Sequence, residues 1–163
     1  MKHKTIYENP FVQVRLDDRG IVSLKNKKGG AVILPVTKEK DVLLMKVFRP
    51  AINDYSLEIP RGFKEENEEP SMTAKRELYE EISAVSKTII PLGYLYPDTG
   101  LIDSKVELFL GLDSEIKENK VQTEEGIQHV VKVPYQDAYQ MAIGGGINDA
   151  FTLAAILRSR EYF

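Results

Sequence analysis

The chain has 163 residues, 42% of them hydrophobic and 29% charged, with a formal net charge of −3 and no cysteine. That is long enough for one domain with a substantial core. It excludes a disulfide framework, a thiolate zinc site and a cysteine nucleophile, and it argues against nucleic acid or a membrane surface as the main partner. His3 and His129 are the two histidines, so any metal site must be mostly oxygen and suited to a hard cation such as Mg²⁺, Mn²⁺ or Ca²⁺. The opening MKHKTIYENPF has no apolar h-region, and no run of 18 apolar residues follows, so a cytoplasmic location with no membrane span is expected.

FVQVRL (11–16) alternates as a strand does, DDRG (17–20) turns, and IVSLKN (21–26) alternates back. This front piece, residues 1–28, reads as a small β extension to a main domain over 29–163. AVILPV (31–36) is a nearly continuous apolar run, as expected of a buried strand. VLLMKVF (42–48) returns, and Arg49-Pro50 ends it because proline cannot donate to a central ladder. SLEIP (56–60) is a further short strand, followed by the acidic loop GFKEENEE (62–69).

A helix is predicted from Pro70, which suits the first helical position, to about Ser83. Ala74, Leu78, Ile82 and Val85 form its apolar stripe, and Glu77, Glu80 and Glu81 fall together on another face. TIIPLGYLYP (88–97), VELFLGL (106–112) and IQHVVKV (127–133) read as strands, separated by DTGLIDS and by the acidic loop 113–126. PYQDAYQMAI (134–143) fits a helix that GGG (144–146) stops, and Asn148 or Asp149 caps a last helix, AFTLAAILRSR. Strands, helix, strands, helices: the order predicts a mixed sheet with helices packed on it, an α/β (α+β) fold.

RELYEE (76–81) carries the chemistry. Glu77 faces Glu80 and Glu81 at i,i+3 and i,i+4, spacings at which like charges cost a helix roughly 0.2–0.5 kcal/mol per pair. A hard divalent cation held by two or three of these carboxylates would turn repulsion into coordination and bridge to substrate phosphates. A solvated acidic face with an Arg76–Glu80 ion pair is the plain alternative.

The longer stretch GFKEENEEPSMTAKRELYEEISA (62–84) resembles the Nudix box. Gly62, Glu68, Arg76, Glu77, Leu78, Glu80 and Glu81 stand at the box spacing, while Ser83 replaces its glycine and Ala84 its larger apolar residue. The resemblance implies a Nudix α/β/α sandwich and a hydrolase of nucleoside diphosphates linked to a second group. It implies Glu77 and Glu81 as metal ligands, Glu80 as a further ligand or support, Arg76 as the residue that orients a glutamate, and Glu68 as a metal or supporting group. Mg²⁺ is the implied cofactor, with Mn²⁺ a substitute.

Arg49-Pro50 and LEIPRG (57–62) look like the ADP-ribose pyrophosphatase branch, with Arg61 where that branch has alanine. On that resemblance Arg49 clamps a phosphate, Glu58 belongs to the substrate site, and the Arg61 carbonyl meets a metal. YPDTGLIDS (96–104) loosely matches a later loop of the branch, with Asp103 its acidic member. In QTEEGI, Glu124 and Glu125 are the candidates for a general base or added ligand, Glu125 preferred because it sits nearer the following strand. The segment GGGINDAFTLAAIL matches a C-terminal motif whose role is packing, and the front β piece implies a homodimer.

The expected reaction is hydrolysis of ADP-ribose to AMP and ribose 5-phosphate. The alternatives are another substrate, such as GDP-mannose, NADH or a dinucleoside polyphosphate, or a non-catalytic nucleotide sensor. Tyr7, Phe11, Phe48, Tyr55 and Tyr96 are unranked candidates for stacking the base, and neither histidine receives a catalytic role.

Overall fold

The structure, a computed structural model, describes residues 2–163. The chain opens with three antiparallel strands, β1 (His3–Glu8), β2 (Val12–Asp17) and β3 (Val22–Asn26). Side chains shape both turns of this sheet. Asn9 Oδ1 accepts from the Phe11 and Val12 amides at 2.9 and 2.8 Å, and Asp17 Oδ1 accepts from the Arg19 and Ile21 amides at 2.9 and 2.8 Å. The first strand was not expected: every residue of β1 is exposed, so it buries no apolar face and leaves no signal of alternation.

The core follows the predicted order. β4 (Gly30–Pro35), β5 (Asp41–Arg49), β6 (Asp54–Glu58) and β7 (Arg61–Phe63) lead into α1 (Pro70–Ile82). Then come β8 (Ala84–Val85), β9 (Thr88–Leu95), β10 (Ile102–Asp103), β11 (Val106–Leu112), β12 (Glu115–Ile116) and β13 (Ile127–Pro134), and finally α2 (Tyr135–Ile143) and α3 (Ala150–Arg158). β7-β4-β11-β9 is a mixed sheet with β4 and β11 parallel at its centre. β13-β5-β6 forms a second, antiparallel sheet, and β8 pairs with β12. The short β10 lies parallel to β3, which fastens the N-terminal sheet to the body.

Period-two alternation places helices on both sides. Ala31, Ile33, Leu43 and Met45 pack with Ala74, Leu78 and Ile82 of α1, while Val32, Leu34, Val42 and Leu44 pack with Ala155 and Ile156 of α3. Both faces of β4 and β5 are therefore covered, which explains why their sequences read as unbroken apolar runs. The fold is the α/β/α sandwich. Among the described residues no helix is long and apolar enough to cross a membrane.

Two details of α1 differ from expectation. Val85 is not on its apolar stripe but beyond its end, in β8, where it is exposed. Ser83 stops the helix in the left-handed region, φ 51°, with its amide bonded back to Leu78 and Tyr79 carbonyls. A serine thus takes the backbone conformation that glycine adopts without steric cost. Of the two candidate caps for α3, Asp149 is the one used: its side chain accepts from the Thr152 amide at 2.9 Å.

Candidate active site

A cleft of about 780 Å³ opens between the N-terminal sheet, β7, the acidic side of α1 and the loop before β13. That volume is in the range of small-molecule sites. Arg76 organises its acidic wall. Its Nε and Nη2 donate to the two Glu68 oxygens at 3.0 and 3.1 Å, its Nη1 to Glu77 at 2.7 Å and Glu80 at 2.9 Å, and its Nη2 to the Phe63 carbonyl at 2.9 Å. Glu68 also accepts from the Thr73 hydroxyl at 2.7 Å and the Glu65 amide at 3.0 Å. The Arg76 guanidinium holds the Glu68 carboxyl down at about 2, and its own pKa is raised in return. Glu68 therefore braces Arg76 from below and lies outside the lining of the cleft.

Glu77 and Glu81 are buried, whereas Glu80 is half exposed. Glu77 lies across Gly62 so closely that any β-carbon there would overlap its carboxylate. This is the physical reason for a glycine at the head of the acidic motif. Burial raises the Glu77 pKa against the pull of Arg76. Glu81 has a weaker partner, the Arg61 amide, which donates to its Oε2 at 2.9 Å. Burial, with the Glu77 charge beside it, pushes Glu81 up to about 8.

Among the described residues no three acidic or histidine side chains stand ready as a metal cage. Arg76 lies between Glu77 and Glu80 instead. The donor set still fits a hard divalent cation. It is all carboxylate, it lines a cleft, and two of its members are buried with raised pKa, so an added cation would relieve a charge that burial penalises.

The opposite wall is made of arginine. Arg49 grips Glu58 through Nε at 3.1 Å and Nη2 at 2.6 Å. Arg61 reaches the same Glu58 at 2.8 Å and Asp149 at 2.7 Å, with its guanidinium 4.9 Å from the centre of the Phe151 ring. Both arginines line the cleft. Glu58, 2% exposed, is the buried post that holds them and does not reach the lining.

The third wall is the loop before β13. Glu125, in a short 3-10 turn over Thr123–Glu125, lines the cleft, and Glu124 beside it does not. The fourth is the N-terminal sheet. There Phe11 lies 5.3 Å from Phe63, ring centre to ring centre, with Lys28 Nζ 4.7 Å above Phe11. Of the five aromatic candidates only Phe11 is in the lining. Tyr55 packs on Phe48 at 5.4 Å and donates no surface to the cleft, and Tyr96 packs on Tyr94. Asp103 forms an exposed ion pair with Arg15 at 3.4 Å, outside the lining, although its neighbours Ile102 and Ser104 are in it.

Sequence reasoning missed Phe63, Lys28, Asp149 and Phe151 as cleft or cleft-bracing residues. Phe63 carried a signal, since it follows Gly62 directly. The Arg61–Asp149 contact spans 88 residues and left none.

Comparison with known proteins places these features in a context. The family model described as NUDIX domain matches residues 27–154. A protein named ADP-ribose pyrophosphatase from Bacillus subtilis (strain 168) is 33% identical over 129 residues, 78% of this chain and 70% of that one. A methanol dehydrogenase activator from Bacillus methanolicus is 23% identical over 96% of this chain and 89% of its own length. A crystal structure of an ADP compounds hydrolase superposes with a TM-score of 0.78, covering 99% of this chain and 91% of that chain at 17% identity, a likeness of fold.

Proposed function

The chain belongs to the Nudix family of hydrolases, and from that premise we propose that it cleaves the pyrophosphate of ADP-ribose, giving AMP and ribose 5-phosphate. Hydrolysis of a nucleoside diphosphate-sugar is the wider class, and ADP-ribose is its best-supported member because the Bacillus subtilis relative carries that name. The observation that carries the reading is the buried pair Glu77 and Glu81, Glu77 packed over Gly62 and Glu81 on the Arg61 amide, short of cations and inside a cleft that also presents Arg49.

Glu77 and Glu81 would hold Mg²⁺, with Glu80 as a further ligand or support, and Mn²⁺ as the substitute. When bound, the divalent ion neutralises the pyrophosphate oxygens and makes the attacking water more acidic. The chain's own residues do the rest. Arg49, its Nε and Nη2 held by Glu58, has Nη1 left to donate to a phosphate oxygen. Arg76 keeps Glu77 and Glu80 apart and aimed. Glu125 takes the proton from the attacking water; its place in the lining, against the position of Glu124 outside it, favours it as the base. Phe11 and Phe63 give a stacking surface for the base.

A homodimer through the N-terminal extension, residues 1–28, is part of the proposal, as is a cytoplasmic location. The all-exposed β1 and the exposed Ile6, Tyr7, Ile21 and Val22 support it, being apolar surface that a second copy would cover. Light scattering on the purified protein tests the dimer, and a single-chain mass would end that part of the reading. For the reaction, the test is a panel of nucleoside diphosphate compounds with and without Mg²⁺. AMP and ribose 5-phosphate released from ADP-ribose, faster than products from GDP-mannose, NADH or dinucleoside polyphosphates, is the expected result. Tight ADP-ribose binding without turnover would mark a sensor instead.

A further inference from the structure

The loop that carries Glu125 is fastened at three points. At its start the Gln122 amide donates to the Glu81 carbonyl at 3.0 Å, tying it to α1. At its end Gly126 sits at φ +82° and accepts from the Phe48 amide at 3.0 Å. A β-carbon on Gly126 would stand 2.7 Å from the Phe48 carbonyl oxygen, so the two backbones meet with no room for a side chain. One residue further on, the β13–β5 register slips between Ile127 and His129, leaving Gln128 as the extra residue of a bulge. The Gln128 side chain donates to the Tyr55 hydroxyl at 2.7 Å and pins that bulge to β6. Bulges of this kind re-aim side chains beside active sites.

We infer that Gly126 is a positioning residue of this enzyme: its close seat against Phe48, with the Gln128–Tyr55 bulge behind it, aims Glu125 into the cleft. The inference rests on reading Glu125 as the base. Phe48 also precedes Arg49, so the same stretch of β5 that holds the loop presents the phosphate clamp. Arg49 is fixed separately by Glu58, so the seat of Gly126 governs the base and not the clamp. The loop is set in place before substrate arrives, and its aim depends on a backbone approach that only glycine allows.

The test compares Glu125→Gln, Gly126→Ala and the double variant with the full-length enzyme, measuring kcat and KM on the preferred substrate. A misplacement of about an ångström is expected to lower kcat of Gly126→Ala at least about ten-fold with KM within about two-fold. The double variant should be no slower than Glu125→Gln alone, because Gly126 acts only through that carboxylate. Tyr55→Phe, which removes one hydroxyl and leaves the ring, is expected to lower kcat about two- to three-fold, and this loss too should vanish in the Glu125→Gln background. If Gly126→Ala does not fold, the Tyr55→Phe pair decides. Full activity in Gly126→Ala, or losses that multiply with Glu125→Gln, overturns the inference while leaving Glu125 as base. Full activity in Glu125→Gln removes the base reading and the inference together.

Discussion

Two walls of the cleft set arginine against glutamate, and they do so to opposite ends. On the arginine wall Glu58 is almost wholly buried yet has two guanidiniums on it, at 2.6 and 2.8 Å, and Asp149 completes the group. That cluster is closed. On the acidic wall one guanidinium, Arg76, serves Glu68, Glu77 and Glu80, and Glu81 is left with a single amide. That cluster sets four carboxylates against one guanidinium and is short of positive charge. Buried charge needs pairing or it is expelled, so the closed wall is a fixed frame that holds its arginines in place, while the open wall has the chemistry that would accept a cation.

The contrast is broken most severely at Glu81. Glu81→Gln keeps shape and amide contact but loses the charge, and kcat is expected to fall by about two to four orders of magnitude, the equivalent of several kcal/mol. Circular dichroism should show an unchanged fold. The same substitution tests pH dependence. Glu81 in the folded protein titrates at about 8, above its ordinary 4.5. A pKa raised by folding adds stability that is complete below 4.5 and is lost as pH rises through 8. The metal-free protein should therefore melt progressively lower from pH 5 to 8, Glu81→Gln should flatten that slope, and Mg²⁺ should raise the melting point of the native protein at pH 8.

At the closed wall Glu58→Ala strands two arginines, and unfolding by urea is expected to show a loss of about 2–3 kcal/mol, below the range for a fully buried pair because Arg49 and Arg61 are 27% and 23% exposed. Mg²⁺ should not restore it. Arg76→Ala comes next: it frees Glu77 and Glu80 from their brace and is expected to cost about 10- to 100-fold in activity or metal affinity. Asp103→Asn is the mildest. It removes one exposed pair worth under about 1 kcal/mol, and KM for ADP-ribose should stay within about two-fold. A large rise in KM would return Asp103 to the substrate site.

The acidic wall was legible in the sequence because its residues lie within 20 positions at helical spacing: Gly62 to Glu81. The core strands were legible because both faces of β4 and β5 are buried, which leaves long apolar runs. The closed wall was only half visible. Arg49, Glu58 and Arg61 stood out as charges, yet Glu58 read as a substrate contact, because burial depends on what covers a residue and α3 covers it from far along the chain. β1 and β10 were missed for a related reason: strands made by pairing alone, with no core side, leave no periodicity. The αL serine at position 83 was visible as a departure from the box, but whether the turn survives it is a backbone matter that composition does not report.

Asp149 divides its carboxylate between two tasks, one oxygen capping α3 through Thr152 and the other gripping Arg61. During synthesis the whole acidic motif has been made some 68 residues before Asp149 appears, counting from Glu81. A chain interrupted in between owns every carboxylate of α1 and still has Glu58 on Arg61, but it lacks the second anchor that ties this guanidinium to the head of α3. The arginine wall is thus completed late, only once the segment that begins α3 has been made and reaches Arg61.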